Sequence, residues 1–448
     1  MKFKYRALAL GCFAAIGLVN TAQAVPIAGE LLELYGNIYP QYQKSSFSDG
    51  FTGTARSHMT GGSSAAAPVV TAAQAATQST GAISKSQLNW VNSYIGFKGK
   101  KSFGALTAGY DLQGSLATNV ETGTSLFADT RDAFLYVEHA QAGTFSIGQQ
   151  DTVYKQFGDR VRMLGVSSSN FVSTAGLVSN VGWRSTTRDM VFATNANTGV
   201  ATVATAAAGT GSFNTRIGGQ LLWLSPKWSG VQAGLSYRPD PNKTATQNKS
   251  LSSMGINWSN DAFYVGFGSE THNDYRTFSG SLINTLAAPQ TIDSVTTPAA
   301  STIRNTNPRS KDTANRISVG YKASSFRLAA DVSKLKYTEE ASGPGKFSDY
   351  STTGWQISGE YSISPQWTVA ANYAKSAEGT CNRSGGAVCT TTGQGGNLLS
   401  LGGRYDLDKN IGFFALYGIN KANDSTTYAG SAVGGKATNM ALGIQVKF

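Results

Sequence analysis

The histidines and nucleophilic side chains of this 448-residue chain form no recognisable catalytic motif. Acyl-transfer chemistry needs a nucleophile with a base beside it, and no nucleophile motif accompanies the histidines, which are His58, His139 and His272. The run Gly99-Lys100-Lys101-Ser102 lacks the spacing of a phosphate-binding loop. We therefore expect neither an enzyme nor a bound cofactor or metal ion.

Charged residues are the remaining candidates for chemistry, and four of them lie together at the start of the longest connection of the chain. They are Asp151, Asp159, Arg160 and Arg162. Apolar residues recur among them at near-helical spacing and predict a short amphipathic helix, namely Val153, Phe157, Val161 and Leu164. Acids and bases that face each other across a narrow aqueous passage would create a field that orients dipolar solutes. The alternative is a solvated external loop.

The amino-terminus has the layout of an export signal. A basic start precedes an apolar core at 7–19 and the small-x-small site Ala22-Gln23-Ala24. Because that core is too short to span a bilayer as a helix, we expect residues 1–24 to be removed and residues 25–448 to form the mature protein. Cys12 offers a lipoprotein alternative, but apolar residues continue beyond it.

The positive charge of the chain does not indicate a nucleic-acid partner. The formal net charge of +11 falls to +8 on cleavage, since the signal holds three basic and no acidic residues. The remaining basic residues are scattered singly, without a Lys/Arg run, and export argues further against nucleic acid. The excess is better interpreted as a field that acts on small anions.

Two cysteines remain after cleavage, Cys381 and Cys389, in a segment rich in Gly, Ser and Thr. In an oxidising compartment we expect them to form one disulfide that closes a small loop. A metal site is the alternative, but it would need more ligands nearby.

The elements that must position these residues alternate apolar and polar side chains at a period of two, which indicates β-strands with one apolar face. The last strand, Ala437 to Phe448, is the clearest example. Sixteen such segments follow one another, with short connections inside each pair and long ones between pairs. Together with aromatic residues beside the short turns, this predicts an all-β fold, a transmembrane antiparallel 16-stranded β-barrel with short periplasmic turns and long external loops.

Particular segments extend this prediction. The first strand is expected at Leu31 to Tyr39, followed by a long surface loop at Gln43 to Gln87, because its Ala/Ser/Thr-rich tract buries little. The fourth and fifteenth strands are apolar on both faces at Ala133 to Val137 and Phe413 to Leu416. These two strands could pack against another subunit or against an inserted loop.

The polar faces of the strands are expected to face a water-filled lumen. A charge on a lipid-facing site near the midplane costs about 2–4 kcal/mol, so the charged residues must point inward. The predicted lining residues are Glu33, Tyr94, Lys98, Asp111, Arg238, Arg316, Arg327 and Arg404.

Five short motifs carry a family resemblance. They are LELYGNIYP near the mature start, SYIGFKG at 93–99, TRDAFLYV at 130–137, GTFSIGQQ at 143–150 and the terminal GIQVKF. In this order they resemble the sixteen-stranded general porins of Gram-negative bacteria, particularly the trimeric type of β-proteobacteria. The terminal Phe448 also resembles the assembly signal of outer-membrane barrels.

The resemblance implies that the segment 151–215 folds into the barrel as its third loop and narrows the pore. The residues it would place at the constriction are Arg131, Asp151, Asp159, Arg160, Arg162, Arg184, Arg188 and Arg216. The chain departs from the family pattern at two positions. Tyr94 and Gln149 stand where the family commonly has arginine, so two positive charges are missing from the wall.

The resemblance also implies a function and a set of partners. The protein would be a porin of the Gram-negative outer membrane, a channel for passive diffusion of small hydrophilic solutes and ions with a mild preference for anions. It would form a homotrimer, inserted by the barrel-assembly machinery among outer-membrane lipid and lipopolysaccharide. A substrate-specific outer-membrane channel is the alternative, although the inward aromatic residues are few. A barrel enzyme or an adhesin is less favoured.

Overall fold

The structure of the protein is a computed structural model. The residues described are 25–48, 83–90, 93–116, 127–166, 170–179, 191–194, 201–204, 213–275, 290–292, 295–297, 309–340, 347–383, 391, 395–423 and 435–448.

Sixteen antiparallel strands form one closed barrel, as the sequence predicts. They are β1 (Glu33–Ile38 and Gln41–Ser48), β2 (Ile83–Asn89 and Tyr94–Phe103), β3 (Leu106–Leu116), β4 (Phe127–His139), β5 (Gly143–Asp151), β6 (Arg216–Leu224), β7 (Val231–Arg238), β8 (Leu251–Ser259), β9 (Phe263–Asn273), β10 (Ser310–Lys322), β11 (Phe326–Glu339), β12 (Phe347–Ser362), β13 (Trp367–Ser376 and Thr380–Arg383), β14 (Gly396–Asp406), β15 (Ile411–Ala422) and β16 (Gly435–Lys447).

The remaining elements are short. Two helices, α1 (Val153–Gly158) and α2 (Ala175–Val178), lie between β5 and β6. A two-residue strand, Val25–Pro26, pairs with the start of β1. Two small hairpins join Val191–Thr194 to Ala201–Ala204 and Gln290–Ile292 to Val295–Thr297. No helix among the described residues is long and apolar enough to cross a membrane.

The barrel closes between its first and last strands. Residues 436–443 of β16 pair with residues 41–48 of β1, and Asn37 faces Lys447 below them. At the chain end, the amide of Gly36 donates to the carbonyl of Phe448, and the amide of Phe448 donates back to Gly36. Because every strand now has two neighbours, no edge is left to present unpaired backbone groups to lipid.

The two faces of the strands differ as predicted from the alternation. On β16, Met440 and Leu442 are exposed on the outside, whereas Asn439, Ala441 and Gln445 are buried inside. Large apolar side chains are exposed on the outside of many strands, including Leu135, Ile147, Leu235, Ile317 and Leu401. An exposed apolar band of this kind suits contact with the hydrocarbon of a bilayer.

The predicted first loop, Gln43 to Gln87, is wrong at both ends. The first strand breaks at Tyr39 and Pro40 and continues through Gln41–Ser48, where it pairs with Ile83–Asn89 of β2. The sequence pattern predicts a loop there because polar residues lie on both faces of these strand segments, so the alternation of apolar and polar residues is missing. The inward amides of Gln41 and Gln43 bond to each other and to Asn89 and Asn170, so they are satisfied without water. Residues 49–82 lie outside the described part.

The predicted amphipathic helix is also shorter than its apolar pattern. Thr152 is the N-cap of helix α1, and its side chain accepts a hydrogen bond from the amide of Lys155. The helix ends at Gly158. Val161 and Leu164 are buried as predicted, but in irregular chain that turns at Leu164, where φ is +53°. They are buried because the loop follows the inner wall. Irregular chain is enough to bury them there, so the helix need not continue beyond Gly158.

Candidate functional site: the passage through the barrel

The segment between β5 and β6 lies inside the barrel and packs first against β7, β8 and β9. Phe157 of α1 is buried against the backbone of β8, where a Cβ on Gly255 would come within 2.8 Å of Phe157 Cδ2. Tyr154 donates through its amide to Ser253 Oγ at 2.8 Å. Tyr264 donates through its hydroxyl to the carbonyl of Phe157 at 2.6 Å. These contacts seat the helix on the wall.

Farther along, the same segment crosses to the opposite wall. The amide of Leu164 donates to Glu360 Oε1, and Arg404 Nη1 donates to the carbonyl of Leu164 at 3.1 Å. A buried apolar cluster then joins the segment to β1, β13, β15 and β16, and its members are Tyr39, Met163, Leu164, Val166, Phe171, Val172, Ala370, Phe414, Leu416 and Ala441. For the doubly apolar fifteenth strand, the partner of the inner face is therefore the inserted loop.

The return path covers the inner wall of β12 to β14. Leu177 and Val178 of α2 pack on Ala374 and Leu398, and Asn372 donates to the carbonyl of Val172 at 3.0 Å. As a result, the inward side chains of β7 to β16 are largely covered by the loop. On β1 to β6, inward side chains such as Glu33, Tyr94, Asp111, Arg131 and Arg216 stay partly exposed and face the remaining space.

A β-bulge places two consecutive charges on this uncovered wall. The register between β3 and β4 shifts between Leu112 and Gly114, so Arg131 and Asp132 both lie opposite Gln113. Arg131 Nε donates to Gln113 Oε1 at 3.4 Å. Asp132 Oδ1 accepts from Arg216 Nε at 2.6 Å. Sequence reading missed Asp132, because strict alternation puts neighbours on opposite faces.

The salt bridges continue onto the loop through Asp151, the last residue of β5. Its Oδ1 lies 3.3 Å from Arg216 Nη2 and its Oδ2 lies 2.8 Å from Lys155 Nζ. Asp132, Arg216, Asp151 and Lys155 thus form a row of alternating charges from the wall to α1. Lys155 was also missed from the sequence, although it lies four residues after Asp151, the spacing of a helical ion pair.

Two tyrosines lie beside this row on the uncovered wall. The guanidinium of Arg131 lies 4.7 Å from the ring centre of Tyr94, and the ammonium of Lys98 lies 5.3 Å from that of Tyr35. Cations over aromatic faces are attracted by the ring quadrupole. Tyr35 donates to Asp111, and Lys98 pairs with Glu33 at 3.4 Å. The structure therefore brings Glu33, Tyr94, Lys98, Asp111 and Arg131 together on one wall.

The loop contributes further charges near the passage. Arg160 lies with its guanidinium 3.8 Å from the ring centre of Tyr264, and Arg162 is exposed. Asp159 is partly exposed between α1 and these arginines. Toward the short turns, Arg327 pairs with Glu360 at 3.0 Å and Arg404 with Asp406 at 2.5 Å.

Two predicted lining residues have different surroundings. Arg316 is fully buried behind the loop, where it donates to Asp331 and to Asn214, each at 2.6 Å. The structure thus places Arg316 against protein and not in the passage, because the inserted segment covers β10. Arg238 lies at the mouth, donating to the carbonyl of Gly218 at 3.0 Å and to the Tyr275 hydroxyl.

One carboxylate at the same mouth is held in its charged form. The backbone amides of Asn242 and Lys249 donate to Asp240, and these bonds hold the pKa of its carboxyl below the usual range. This group is partly exposed in the loop after β7, so it contributes a negative charge to the mouth at neutral pH.

Some predicted residues lie outside the described part of the chain, namely Arg184, Arg188 and Cys389. Cys381 is disulfide-bonded at the end of β13, and its pairing with Cys389 stays a prediction.

Comparison with known proteins places this geometry in a family. A family model described as Gram-negative porin matches residues 7–426. No curated protein sequence matches the chain. Among solved structures, an anion-selective porin from Comamonas acidovorans has a similar fold, with 13% identity over 93% of this chain and 99% of that chain and a TM-score of 0.56.

Two other solved barrels are similar. The trimer form of OmpT, an outer membrane protein of Vibrio cholerae, has 12% identity over 93% of this chain and 99% of that chain, with a TM-score of 0.55. Salmonella typhi OmpF in complex with daunomycin has 16% identity over 93% and 97%, with a TM-score of 0.53. Because the family match spans nearly the whole chain and the fold is a closed sixteen-stranded barrel, this protein belongs to the Gram-negative porin family and is an outer-membrane channel for small solutes.

Proposed function

We propose that the protein is a general-diffusion porin, with a water-filled passage between the wall β1–β6 and the inserted loop. The contrast in exposure between two sets of inward charges carries this proposal. On the uncovered wall the side chains of Lys98, Glu33 and Arg216 are 45%, 27% and 20% exposed. Behind the loop, Arg316 and Asp331 are 0% exposed. Water therefore has access to one half of the interior, and ions and small polar solutes share that route.

We further propose a mild preference for anions. Among the described residues near the passage, the carboxylates of Glu33, Asp132 and Asp151 form salt bridges, as do their basic partners. Arg160, Arg162 and Arg238 form none in the described part, and the same holds for the acids Asp111, Asp159 and Asp240. Arg131, over Tyr94, adds one more positive charge, so the bases named along the passage outnumber the acids by one. The uncompensated charge is positive and raises the local concentration of anions.

Solute flux into liposomes tests general diffusion against a substrate-specific channel. We expect uptake of uncharged sugars to fall smoothly with solute size and to stay proportional to concentration. Saturation, or block of the single-channel current by one solute, would favour the specific channel instead. Tyr35 and Tyr94 are the aromatic side chains in place to make such a site, since Tyr39 is buried and Tyr264 lies under Arg160.

We propose a channel without catalytic activity. His139 accepts hydrogen bonds from the amides of Gln141 and Ala142 at a short turn. His272 and Glu270 contact each other at 2.8 Å but are both buried, which keeps solutes away from them. His58 lies outside the described part. We expect no product when the protein is incubated with peptide or phospholipid substrates. Hydrolysis that persists after the protein has been purified would contradict the absence of catalytic activity.

We also propose that the channel is a homotrimer, inserted by the barrel-assembly machinery. A barrel of similar fold is named as a trimer form, and the exposed apolar band leaves room for both lipid and subunit contacts. Unboiled protein should migrate as a trimer on a gel and as a monomer after boiling. A monomer under both conditions would contradict the trimer but leave the channel proposal intact.

A further inference from the structure

Strands β6 and β7 separate at the end that leads toward the long loops. Their register covers only Leu221–Leu224 against residues 234–237, although β6 stays paired with β5 as far as Arg216. Among the described residues, the segment 216–220 therefore has a neighbouring strand on one side only. A gap is left in the barrel wall between this segment and the end of β7.

The sequence itself keeps this gap open. Pro239 and Pro241 follow β7 directly, and neither has an amide that could donate to β6. On the other side of the gap, Gly218 and Gly219 form a β-bulge, since both lie opposite Gln149 of β5. Gly219 has φ of +67°, and a Cβ on it would meet nothing within 4 Å. The backbone of β6 thus borders open space here.

A cavity of about 510 Å³ occupies the gap. It is lined by residues 216–219 of β6, by Arg238, Pro239 and Pro241 at the end of β7, and by Tyr275 after β9. We refer to it as the mouth cavity. Its volume lies within the range of roughly 300–1,000 Å³ that is typical of sites for small molecules.

Hydrogen-bond donors meet at one end of the mouth cavity. Arg238 donates through Nε to the carbonyl of Gly218 at 3.0 Å and through Nη1 to the hydroxyl of Tyr275. Because the Tyr275 oxygen accepts that bond, its own proton is left to donate. Nη2 of Arg238 has no partner among the described residues, and an acceptor in the cavity could therefore take hydrogen bonds from both side chains.

The charges around the mouth cavity match an anion with a single negative charge. Arg216 is balanced by Asp132 at 2.6 Å and Asp151 at 3.3 Å. Asp240, the acid closest in sequence to Arg238, accepts from two backbone amides and forms no salt bridge with a described residue. Arg238 therefore contributes one positive charge without an acidic partner within salt-bridge distance in the described part.

The remaining surface of the mouth cavity is apolar and includes rigid rings. Its side chains are Ile217, Pro239, Pro241 and the ring of Tyr275. Aromatic rings pack well against flat apolar faces of this kind, and the bare backbone of the bulge allows a planar group to come close. The cavity thus combines donors for one carboxylate with a surface for one flat apolar group.

We propose that the mouth cavity binds small aromatic monocarboxylates. The carboxylate accepts hydrogen bonds from Arg238 and Tyr275, and such bonds between charged groups are among the stronger ones in proteins. The aromatic ring packs on the two prolines and Ile217. This inference goes beyond general diffusion, because it concerns a site in the barrel wall beside the passage.

Equilibrium dialysis of the detergent-solubilised protein against 2-naphthoate tests the proposal. We expect saturable binding by the wild type and about tenfold weaker binding by Arg238→Gln, since a charged donor is lost. Arg160→Gln is the matched control, because Arg160 also lies over a tyrosine and forms no salt bridge with a described residue. The control should bind 2-naphthoate as the wild type does.

Competition by two simpler molecules separates the contributions of charge and ring. Naphthalene-2-carboxamide keeps the ring without the charge, and acetate keeps the charge without the ring. Each should displace 2-naphthoate only at concentrations about tenfold higher than unlabelled 2-naphthoate itself requires. Tyr275→Phe keeps the ring of residue 275 and removes its hydroxyl, so it should weaken binding by less than Arg238→Gln does. Heat-dependent gel migration verifies that each variant is folded.

Three results would overturn the proposal. They are equal binding of 2-naphthoate by the wild type and Arg238→Gln, an equal loss in Arg160→Gln, and equal competition by acetate or by the carboxamide. If Arg238→Gln does not fold, Tyr275→Phe and the competition series still decide the question. Because dialysis needs no ion flow, its result is independent of whether the passage supports general diffusion.

Discussion

At the scale of residues, the passage is defined by which charges are paired and which are covered. Arg216 bridges Asp132 and Asp151, and Lys155 shares Asp151 from the loop side. This row fixes the position of α1 relative to the wall. Arg131, next to Asp132 in the bulge, lies over Tyr94 on the uncovered wall, and we propose that it adds positive charge to the space through which ions pass.

Replacing Arg131 by Gln should reduce the preference for anions. Because a unit charge about 4 Å away is worth about 1 kcal/mol in water and less when screened by salt, we expect the anion-to-cation permeability ratio to fall about twofold. Reversal potentials in a salt gradient measure this ratio. Lys334→Gln, which removes an outward charge, is the control and should leave the ratio unchanged. An equal change in both variants would contradict a local role of Arg131.

Arg316 lies behind the loop, so we expect its replacement to lower stability and to leave ion selectivity largely unchanged. Arg316→Gln leaves Asp331 buried without its charged partner, and breaking a buried pair in this way costs about 3–5 kcal/mol. We expect a lower unfolding temperature, measured from the heat-dependent shift in gel migration, with little change in ion selectivity.

The double variant Arg316→Gln with Asp331→Asn supplies the control. It removes both charges and should recover part of the lost stability, because Gln356 can still bond to the amide at 331. If the single variant were as stable as the wild type while selectivity shifted strongly, Arg316 would have to lie in the passage after all.

At the scale of elements, the inserted loop depends on contacts between apolar side chains and bare backbone. Phe157 lies against Gly255 of β8, with Val153 beside it, and a Cβ at that glycine would also come within 2.6 Å of the carbonyl of Phe267. The close approach holds α1 on the wall and so sets the width of the passage.

Phe157→Ala should therefore loosen the loop. Truncation of a buried phenylalanine costs about 3–5 kcal/mol where the cavity cannot collapse, and α1 is short enough to move. We expect larger and noisier single-channel currents. Phe267→Ala, which removes an outward aromatic ring from β9, is the matched control and should leave the current unchanged. Identical traces for both variants would mean that Phe157 does not hold the loop.

The sequence predicts the strands and their inner and outer faces because alternation reports lipid contact directly. It does not report which inward residues meet water and which meet protein, so Arg316 was assigned to the lining. The alternation of apolar and polar residues does not reveal the β-bulge at Arg131 and Asp132. The upper parts of β1 and β2 were missed because polar residues lie on both of their faces. The family resemblance supplied the inserted loop.

At the scale of the whole molecule, closure of the barrel depends on the chain end. Phe448 exchanges two main-chain hydrogen bonds with Gly36. A Cβ on residue 36 would come within 2.6 Å of Phe448 Cζ, so the ring lies against the bare backbone of Gly36. The last residue of the last strand thus completes the pairing with the first strand.

Deletion of Phe448 should impair assembly far more than conduction. We expect little folded protein in outer-membrane fractions, while the few channels recovered should conduct as the wild type does, because Phe448 lies away from the passage. Quantitative blots of membrane fractions and single-channel recordings check the two halves. Normal levels of assembled protein would reduce Phe448 to a lipid-facing anchor.

The central claim is a water-filled passage with a small surplus of positive charge. The most direct test is the reversal potential of the purified protein in a planar bilayer under a tenfold salt gradient. We predict stable channels whose conductance rises with salt concentration and whose reversal potential has the sign of a modest anion preference. Absence of channels, or a reversal potential with the sign of cation selectivity, would contradict this account.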